Sequence, residues 1–275
     1  MIGGIGVVAS LNREGSGLDR VREYGLDSCQ LISWDPTLWT DAIADRVAEE
    51  AEKYGVRIVG FWAGWPGPAV WDLVDGPDTL GIVPEKYRTE RKQLLIQAGS
   101  FAQRIGTPAV ITHLGFIPEN PTDPRFAAVV ATVREIAEKL EARGLRFWFE
   151  TGQETPITLL RLIQSVGIPN LGINLDPANL ILYGKANPID SLGIFGDHVE
   201  CIHAKDGLYP EDPMHTGRQV RVGDGQVDFP RFLNRLDEIG YTGELIIERE
   251  IKGDQQIEDI VYTVGYLKKL LGRSE

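Results

Sequence analysis

The sequence has no long apolar run, and this absence excludes one class of protein. None of its 275 residues falls in a segment approaching the roughly 18 continuous apolar residues that span a bilayer. We therefore expect no membrane partner. The first residues, MIGGIGVVASLNREG, lack the basic start and small-residue cleavage site of a secretory signal, which indicates a cytoplasmic protein.

Cysteine and positive charge are also scarce. The two cysteines, Cys29 and Cys201, lie inside apolar runs and have the context of small buried hydrophobic residues, not of a disulfide or a zinc site. The formal net charge of −12 opposes a broad phosphate-binding surface, because nucleic-acid-binding proteins cluster Lys and Arg. Nucleic acid is therefore not an expected partner.

Short apolar runs alternate with helical patterns along the whole chain. This alternation, at a length close to the roughly 250 residues of a closed α/β barrel, predicts a single (β/α)₈ TIM barrel domain over residues 1–275. An open, doubly wound sheet is the structural alternative. The eight predicted strands are residues 5–9, 29–33, 57–62, 109–113, 146–150, 171–176, 199–204 and 244–248.

Turn residues mark where the helices begin and end. Glycine stands at the expected helix C-caps, and Thr155-Pro156 and Asp228-Phe229-Pro230 have the form of N-caps with proline in the first turn. Two connections, residues 63–86 and 207–227, are long. Each follows a predicted strand, so both are expected on the rim where barrels hold their active sites. The glycines at the expected helix C-caps are Gly55, Gly106, Gly144, Gly167 and Gly240.

Four candidate metal ligands lie at or near the carboxyl ends of the last four predicted strands. They are Glu150 in FWFE, Asp176 in GINLD, His203 in ECIHAKD and Glu248 in LIIE. These strand ends form an arc on one rim of a barrel, and three carboxylates around one imidazole need a cation. The donor set suits one divalent ion, Mn²⁺ above Mg²⁺, Co²⁺ or Zn²⁺. The alternative for each residue is a strand-end polar group that caps a helix or forms an ion pair.

The segments that carry these residues resemble the xylose isomerase-like TIM barrel superfamily, the sugar phosphate isomerases and epimerases. The resemblance covers nearly the whole chain and is clearest in FWFETGQET, GINLDPANL, IHAKDG and VGDGQVDFPRFLNRLDEIGYTGELIIERE. It implies that the same four residues hold the metal ion. In the ketose epimerases of the family the two glutamates are also the acid/base pair, which implies catalytic roles for Glu150 and Glu248.

The sequence departs from the family at two places. Endonuclease IV, a DNA repair enzyme of the family, needs further histidines for three zinc ions, but Trp62 and Asn179 stand near two of those positions. A trinuclear site is therefore not expected. Ketose epimerases place a substrate-binding histidine where Asn179 stands, so their particular substrate does not carry over.

Further residues near the four ligands are candidates for contact with a substrate. Lys205 and Asp206 follow His203 directly and are suited to orienting a carbonyl or a phosphate, with a rim salt bridge as the alternative. Helix capping is the alternative for Asn179. The substrate-binding candidates are His113, Glu154, Asn179, Lys205, Arg218 and Trp62. Trp34, Trp62 and Trp65 are predicted to form an apolar wall, and Trp71 and Trp148 are assigned to packing.

These residues together predict a metal-dependent isomerase or epimerase. It would act on a ketose or keto-polyol through an enediolate, and a homo-oligomer is compatible with the sequence. The first alternative is a dehydratase or lyase that acts on an inosose or a keto-glycoside. A DNA repair enzyme and a non-catalytic sugar-binding barrel are the other classes considered.

Overall fold

The computed structural model describes residues 2–273, and its central element is a closed barrel of parallel strands. Going round the barrel, the strands follow chain order, and the last strand pairs with the first. The closed barrel confirms the predicted fold and excludes the open sheet. Its strands are β1 Ile5–Ser10, β2 Ser28–Ser33, β3 Arg57–Ala63, β4 Ala109–Thr112, β5 Arg146–Glu150, β6 Leu171–Leu175, β7 Val199–Ala204 and β10 Leu245–Ile247. The strands β8 Asp206–Leu208 and β9 Arg218–Val220 lie outside the barrel, in the connection after β7.

Helices surround the barrel, and their ends agree with the predicted turn residues. Thr155 accepts a hydrogen bond from the Thr158 backbone at the start of one helix, and Gly167 ends that helix with a left-handed backbone, φ 67°. The helices are α1 Leu18–Glu23, α2 Asp41–Tyr54, α3 Gly76–Thr79, α4 Glu85–Arg104, α5 Pro124–Glu141, α6 Pro156–Val166, α7 Pro177–Leu182, α8 Pro188–Phe195, α9 Phe229–Glu238 and α10 Asp254–Leu270. In the part of the chain that the structure describes, none of these helices is long and apolar enough to cross a membrane.

The alternation of side chains along each strand separates the core from the site. In β5, Phe147 and Phe149 pack in the large core cluster that includes residues of the outer helices, whereas Trp148 belongs to a second cluster with Ile111 and Ile246. Because successive strand residues point to opposite faces, Glu150 shares the face of Trp148. Along most of their length the barrel strands therefore bury apolar residues, and at their carboxyl ends they present polar residues.

The two long connections contain regular structure that the sequence did not predict. Residues 63–86 include the short helix α3. Residues 207–227 contain an antiparallel hairpin of β8 Asp206–Leu208 and β9 Arg218–Val220. Both connections follow barrel strands, which confirms their predicted place on the rim.

Candidate metal centre and active site

The four predicted ligands converge at the carboxyl ends of neighbouring strands. One ligand atom from each of Glu150, Asp176, His203 and Glu248 lies within 4.8 Å of all the others. Glu150 ends β5, Asp176 follows β6, His203 lies in β7 and Glu248 follows β10. The strand order β5-β6-β7-β10 explains why residues that are far apart in sequence meet.

His203 presents one ring nitrogen to the carboxylates and uses the other to fix its orientation. Its Nδ1 lies 3.3 Å from Glu150 Oε1, 3.2 Å from Glu248 Oε2 and 3.8 Å from Asp176 Oδ2, without a well-formed hydrogen bond. Its Nε2 lies 2.8 Å from Gln30 Oε1, an acceptor, which assigns the ring proton to Nε2. With a metal ion bound, the lone pair of Nδ1 would face the cluster, as ligation requires. Without an ion, burial opposes the charge of His203, but Glu248 and Glu150 outweigh burial and raise the pKa of His203 well above its ordinary value.

Gln30 is itself held by the barrel interior. Its Nε2 donates to Asn174 Oδ1 at 2.6 Å, so Asn174 holds the Gln30 amide in place. Asn174 Nδ2 also lies 3.0 Å from His203 Nε2, but both nitrogens are donors in this tautomer, so the hydrogen bond of the ring is the one to Gln30. All three side chains are buried. A connected amide pair therefore orients the imidazole from below.

Asp176 divides its two oxygens between the fold and the cluster. Oδ1 caps helix α7 by accepting from the Asn179 backbone N–H at 2.9 Å. Oδ2 is buried and has no well-formed hydrogen bond, although Lys205 Nζ lies 3.2 Å away. The cap fixes the carboxylate so that Oδ2 faces the other ligands.

The carboxylate of Glu150 is surrounded by three of the predicted substrate-binding residues. Trp62 Nε1 donates to its Oε2, while Asn179 Nδ2 donates to Oε1 at 3.3 Å and His113 Nε2 lies 3.3 Å from the same oxygen. Burial alone would raise the pKa of Glu150, but the imidazoles of His113 and His203 hold it well below its ordinary value. Glu150 is therefore ionised at neutral pH.

Lys205 is a buried cation among carboxylates. Its Nζ lies 3.0 Å from Glu248 Oε2 and 2.6 Å from Glu250 Oε2. Burial opposes its charge, but Asp176 and Glu248 outweigh burial and raise the pKa of Lys205 well above its ordinary value. In the same way, Lys205 and His203 overcome burial and lower the pKa of Glu248 to about 2.

The donor set fits a divalent cation. Glu150 and Asp176 are buried and Glu248 is partly buried, and these three neighbouring carboxylates repel each other, so they require positive charge close by. His203 Nδ1 and Asp176 Oδ2 are buried polar atoms without a well-formed hydrogen bond, and both face the cluster. Three oxygen donors with one imidazole suit Mn²⁺ or Mg²⁺ better than a sulfur-preferring ion.

A cavity of about 700 Å³ opens above this cluster. Five of the six predicted substrate-binding residues line it, and the sixth, Glu154, is buried outside the lining. Burial raises the pKa of Glu154 to about 7, and neither of its carboxylate oxygens has a hydrogen-bond partner among the described residues. The five predicted substrate-binding residues that line the cavity are Trp62, His113, Asn179, Lys205 and Arg218.

Three residues differ from their predicted roles: Trp71, Asp206 and Trp65. Trp71, assigned to packing, lines the cavity and is 39% exposed. Asp206, a candidate for substrate contact, accepts backbone hydrogen bonds from Gly207, Gly223, Gly225 and Val227 instead. Its carboxylate therefore fixes the connection after β7. Trp65 is buried behind Trp34 and does not line the cavity, whereas Trp148 packs as predicted.

Gln30 and Asn174 were not recognised in the sequence. Each is an amide between apolar neighbours in a strand: Gln30 between Cys29 and Leu31, and Asn174 between Ile173 and Leu175. A buried amide in such a strand needs a hydrogen-bond partner, and this was the available signal.

Comparison with known proteins agrees with the fold. Residues 18–270 match the family described as xylose isomerase-like TIM barrel. The chain belongs to this family. A solved structure of a xylose isomerase domain protein from Planctomyces limnophilus is 33% identical, with 98% of each chain covered and a TM-score of 0.93.

Two curated relatives are more distant. An uncharacterised protein of Methanocaldococcus jannaschii is 27% identical over 267 residues, which are 93% of this chain and 84% of the relative. An inosose dehydratase of Lacticaseibacillus casei is 23% identical over 145 residues, 47% of this chain and 48% of the dehydratase. Proteins with different names therefore share parts of this sequence.

Proposed function

We propose that this protein is a divalent-metal-dependent isomerase or epimerase that acts on a ketose or keto-polyol. The observation that carries the proposal is the convergence of Glu150, Asp176, His203 and Glu248 within 4.8 Å beneath an open cavity. These four residues would hold the ion, with Mn²⁺ preferred because three of the donors are carboxylates. A bound divalent ion would supply positive charge to the substrate oxygens and so stabilise the enediolate formed when the adjacent C–H loses its proton.

Glu150 and Glu248 are suited to the two proton transfers. Glu150 ends β5 and Glu248 follows β10, and these two strands flank β6 and β7 in the barrel, so the two glutamates approach the centre from the two ends of the arc. Both line the cavity, and the lowered pKa of each keeps it ionised and able to accept a proton at neutral pH. One carboxylate would take the proton from the carbon, and the other would return a proton to the opposite face.

The predicted substrate contacts follow from the lining of the cavity. Trp62 offers a ring face, His113 and Asn179 offer polar groups beside Glu150, and Lys205 and Arg218 offer positive charge. Glu154 lies outside the lining, so its role would be to support neighbouring groups such as His113, whose pKa its charge helps to raise.

A dehydratase is the second candidate, and His113 is the observation that favours it. Burial opposes its charge, but Glu150 outweighs burial and raises the pKa of His113, which lines the cavity. A protonated imidazole there would protonate a hydroxyl leaving from the carbon next to the enediolate. The partial similarity to an inosose dehydratase is consistent with this alternative.

Turnover in deuterated water tests the proton-transfer mechanism. With the manganese-loaded protein and a panel of ketoses and inososes, we expect solvent deuterium on the carbon next to the carbonyl. Glu150→Gln and Glu248→Gln should lower the rate by roughly 10²- to 10⁴-fold, because each removes an acid/base group while keeping the side-chain shape. Products separate the two candidates, since only the dehydratase releases water.

Glu244→Gln is the matched control. Glu244 precedes β10 at the opposite end of the strand from Glu248 and pairs with Arg57 at 2.7 Å. Its substitution should leave the rate nearly unchanged. A product free of solvent deuterium after many turnovers, or near-normal rates in both active-site Gln variants, would refute the proposed mechanism.

A further inference from the structure

We propose that the substrate is a keto-glycoside whose second ring, saccharide or aryl, lies against the exposed faces of Trp34 and Trp71. This subsite rests on the proposed function and changes its substrate from a free ketose or keto-polyol to a keto-sugar that carries a second ring, since the first ring must place its carbonyl at the metal centre. The second ring would contribute binding energy without taking part in proton transfer.

The aromatic side chains of the cavity form two tiers. Trp62 and His113 form the inner tier, because both contact the carboxylate of Glu150 and each is only 4% exposed. Trp34 and Trp71 form the outer tier, with 40% and 39% of their surface exposed. The tiers are in contact: ring centroids lie 5.0 Å apart between Trp34 and Trp62 and 5.1 Å apart between Trp71 and His113.

The outer tier lies one aromatic ring farther from the ligands than the inner tier. A sugar whose oxygens reach Glu150 and Glu248 would therefore contact the inner tier, leaving Trp34 and Trp71 uncovered. Their centroids are 6.2 Å apart and the rings are nearly perpendicular, which makes a corner that a flat ring can enter. Tryptophans exposed in a cavity beside a polar site are typical of ligand contact.

The backbone is shaped to seat Trp34 at this place. A side chain on Gly64 would put a Cβ atom 2.5 Å from the Trp34 ring, so only glycine lets the indole lie against this segment. Trp34 also contacts buried Trp65, with centroids 5.3 Å apart. The exposed indole is therefore packed on one side and is not a freely moving surface group.

Cavity size and the remaining lining agree with a substrate of two rings. The volume of about 700 Å³ lies within the roughly 300–1,000 Å³ of pockets that enclose drug-sized ligands, which are larger than one hexose. Arg218, also in the lining, has no ion pair or side-chain hydrogen bond among residues 2–273. Its guanidinium is available to the hydroxyls or ring oxygen of the outer unit.

Calorimetric binding to the manganese-loaded protein tests this subsite without requiring turnover. The probes are methyl β-glucoside, phenyl β-glucoside and cellobiose, which share a glucose unit and differ in the second ring. We expect at least one two-ring probe to bind about tenfold more tightly than the methyl glucoside, from contacts with two aromatic side chains. A preference for the phenyl probe or for cellobiose identifies the second ring as aryl or saccharide.

Four variants locate the preference. Trp34→Ala combined with Trp71→Ala should reduce it to within about threefold, whereas Trp34→Phe should retain most of it because an aromatic face remains. Gly64→Ala should weaken it by displacing the indole. Tyr262→Ala removes an aromatic residue that is 42% exposed outside the cavity and should change nothing.

Equal affinity for all three probes, no measurable binding of either two-ring probe, or a preference that survives the double variant would overturn the second-ring subsite. A different observation would refute the proposed reaction: no metal-dependent deuterium exchange on any keto-sugar. That outcome does not depend on whether the two-ring probes bind more tightly than the methyl glucoside. The double variant Trp34→Ala with Trp71→Ala, and Gly64→Ala, should lower kcat/KM for a phenyl keto-glucoside and leave that for the methyl keto-glucoside within about threefold, whereas Tyr262→Ala should change neither.

Discussion

Gln30 offers the sharpest test of how the metal centre is organised, because it contacts a ligand but not the cavity. We consider Gln30→Leu, which has a similar volume and removes the acceptor for His203 Nε2–H and the donor to Asn174. Groups that orient a metal-bound histidine typically contribute 10- to 100-fold to metal affinity. We therefore expect the variant to bind Mn²⁺ more weakly by about 1.4–2.8 kcal/mol.

The same substitution should also destabilise the metal-free protein. It leaves the His203 donor and the Asn174 acceptor buried without their Gln30 partner, and each such group costs roughly 1–3 kcal/mol. A loss of about 2–6 kcal/mol in the free energy of unfolding follows. Urea unfolding measures this loss, and competition with a chelator measures the metal affinity.

Asn170→Leu separates the two effects. Asn170 is also buried, and its Nδ2 donates to the Ala137 and Leu145 carbonyls at 2.9 and 3.0 Å, away from the site. Its loss should lower stability but leave metal affinity unchanged. If Gln30→Leu bound Mn²⁺ like the wild type, or if Asn170→Leu lost as much affinity, the orienting role of Gln30 would be wrong.

Three further predictions concern the ion, the buried acid and the rim. Elemental analysis should find about one divalent ion per chain and almost none in His203→Ala, which lacks a ligand; full metal content would contradict the assignment. Because the pKa of Glu154 is raised to about 7, the free energy of unfolding should fall as pH rises from about 4.5 to 7. Glu154→Gln should remove this fall, so it should stabilise the protein by roughly 3 kcal/mol at pH 8 but little at pH 4. Urea unfolding at the two pH values measures the difference, and a variant with the pH profile of the wild type would refute the raised pKa of Glu154. Replacing residues 209–217 by a short turn should lower turnover at least about tenfold while metal content stays full, and parallel losses of both would count against a substrate role.

The barrel and the convergence of the four candidate ligands could be predicted because both depend on repeated, local sequence features. Each strand is a short apolar run, and each ligand lies at or next to its carboxyl end, where barrel geometry brings strand ends together. Strand limits differed from the prediction by only one or two residues, as at β4, which ends at Thr112 instead of His113.

The support beneath the ligands could not be predicted in the same way. The ladder register shifts between Cys29 and Gln30 in β2 and between Ile173 and Asn174 in β6. Such irregularities re-aim side chains, and these occur beside the two amides that meet under His203. Sequence spacing alone does not reveal where a register shift falls. The β8–β9 hairpin was missed because each of its strands has only three residues, too few for a periodic pattern.

The four hydrogen bonds to Asp206 have a consequence for how this protein can change. They tie the chain at residue 207 and again at 223–227, so the ends of the segment between them are fixed independently of its middle. That middle segment supplies Arg218 and Gln219 to the cavity but none of the four candidate metal ligands. Substitutions or insertions there can alter which substrates enter while the ion and the barrel stay intact. For directed evolution toward a new sugar, this segment is therefore the first to randomise, and Asp206 is the residue to keep.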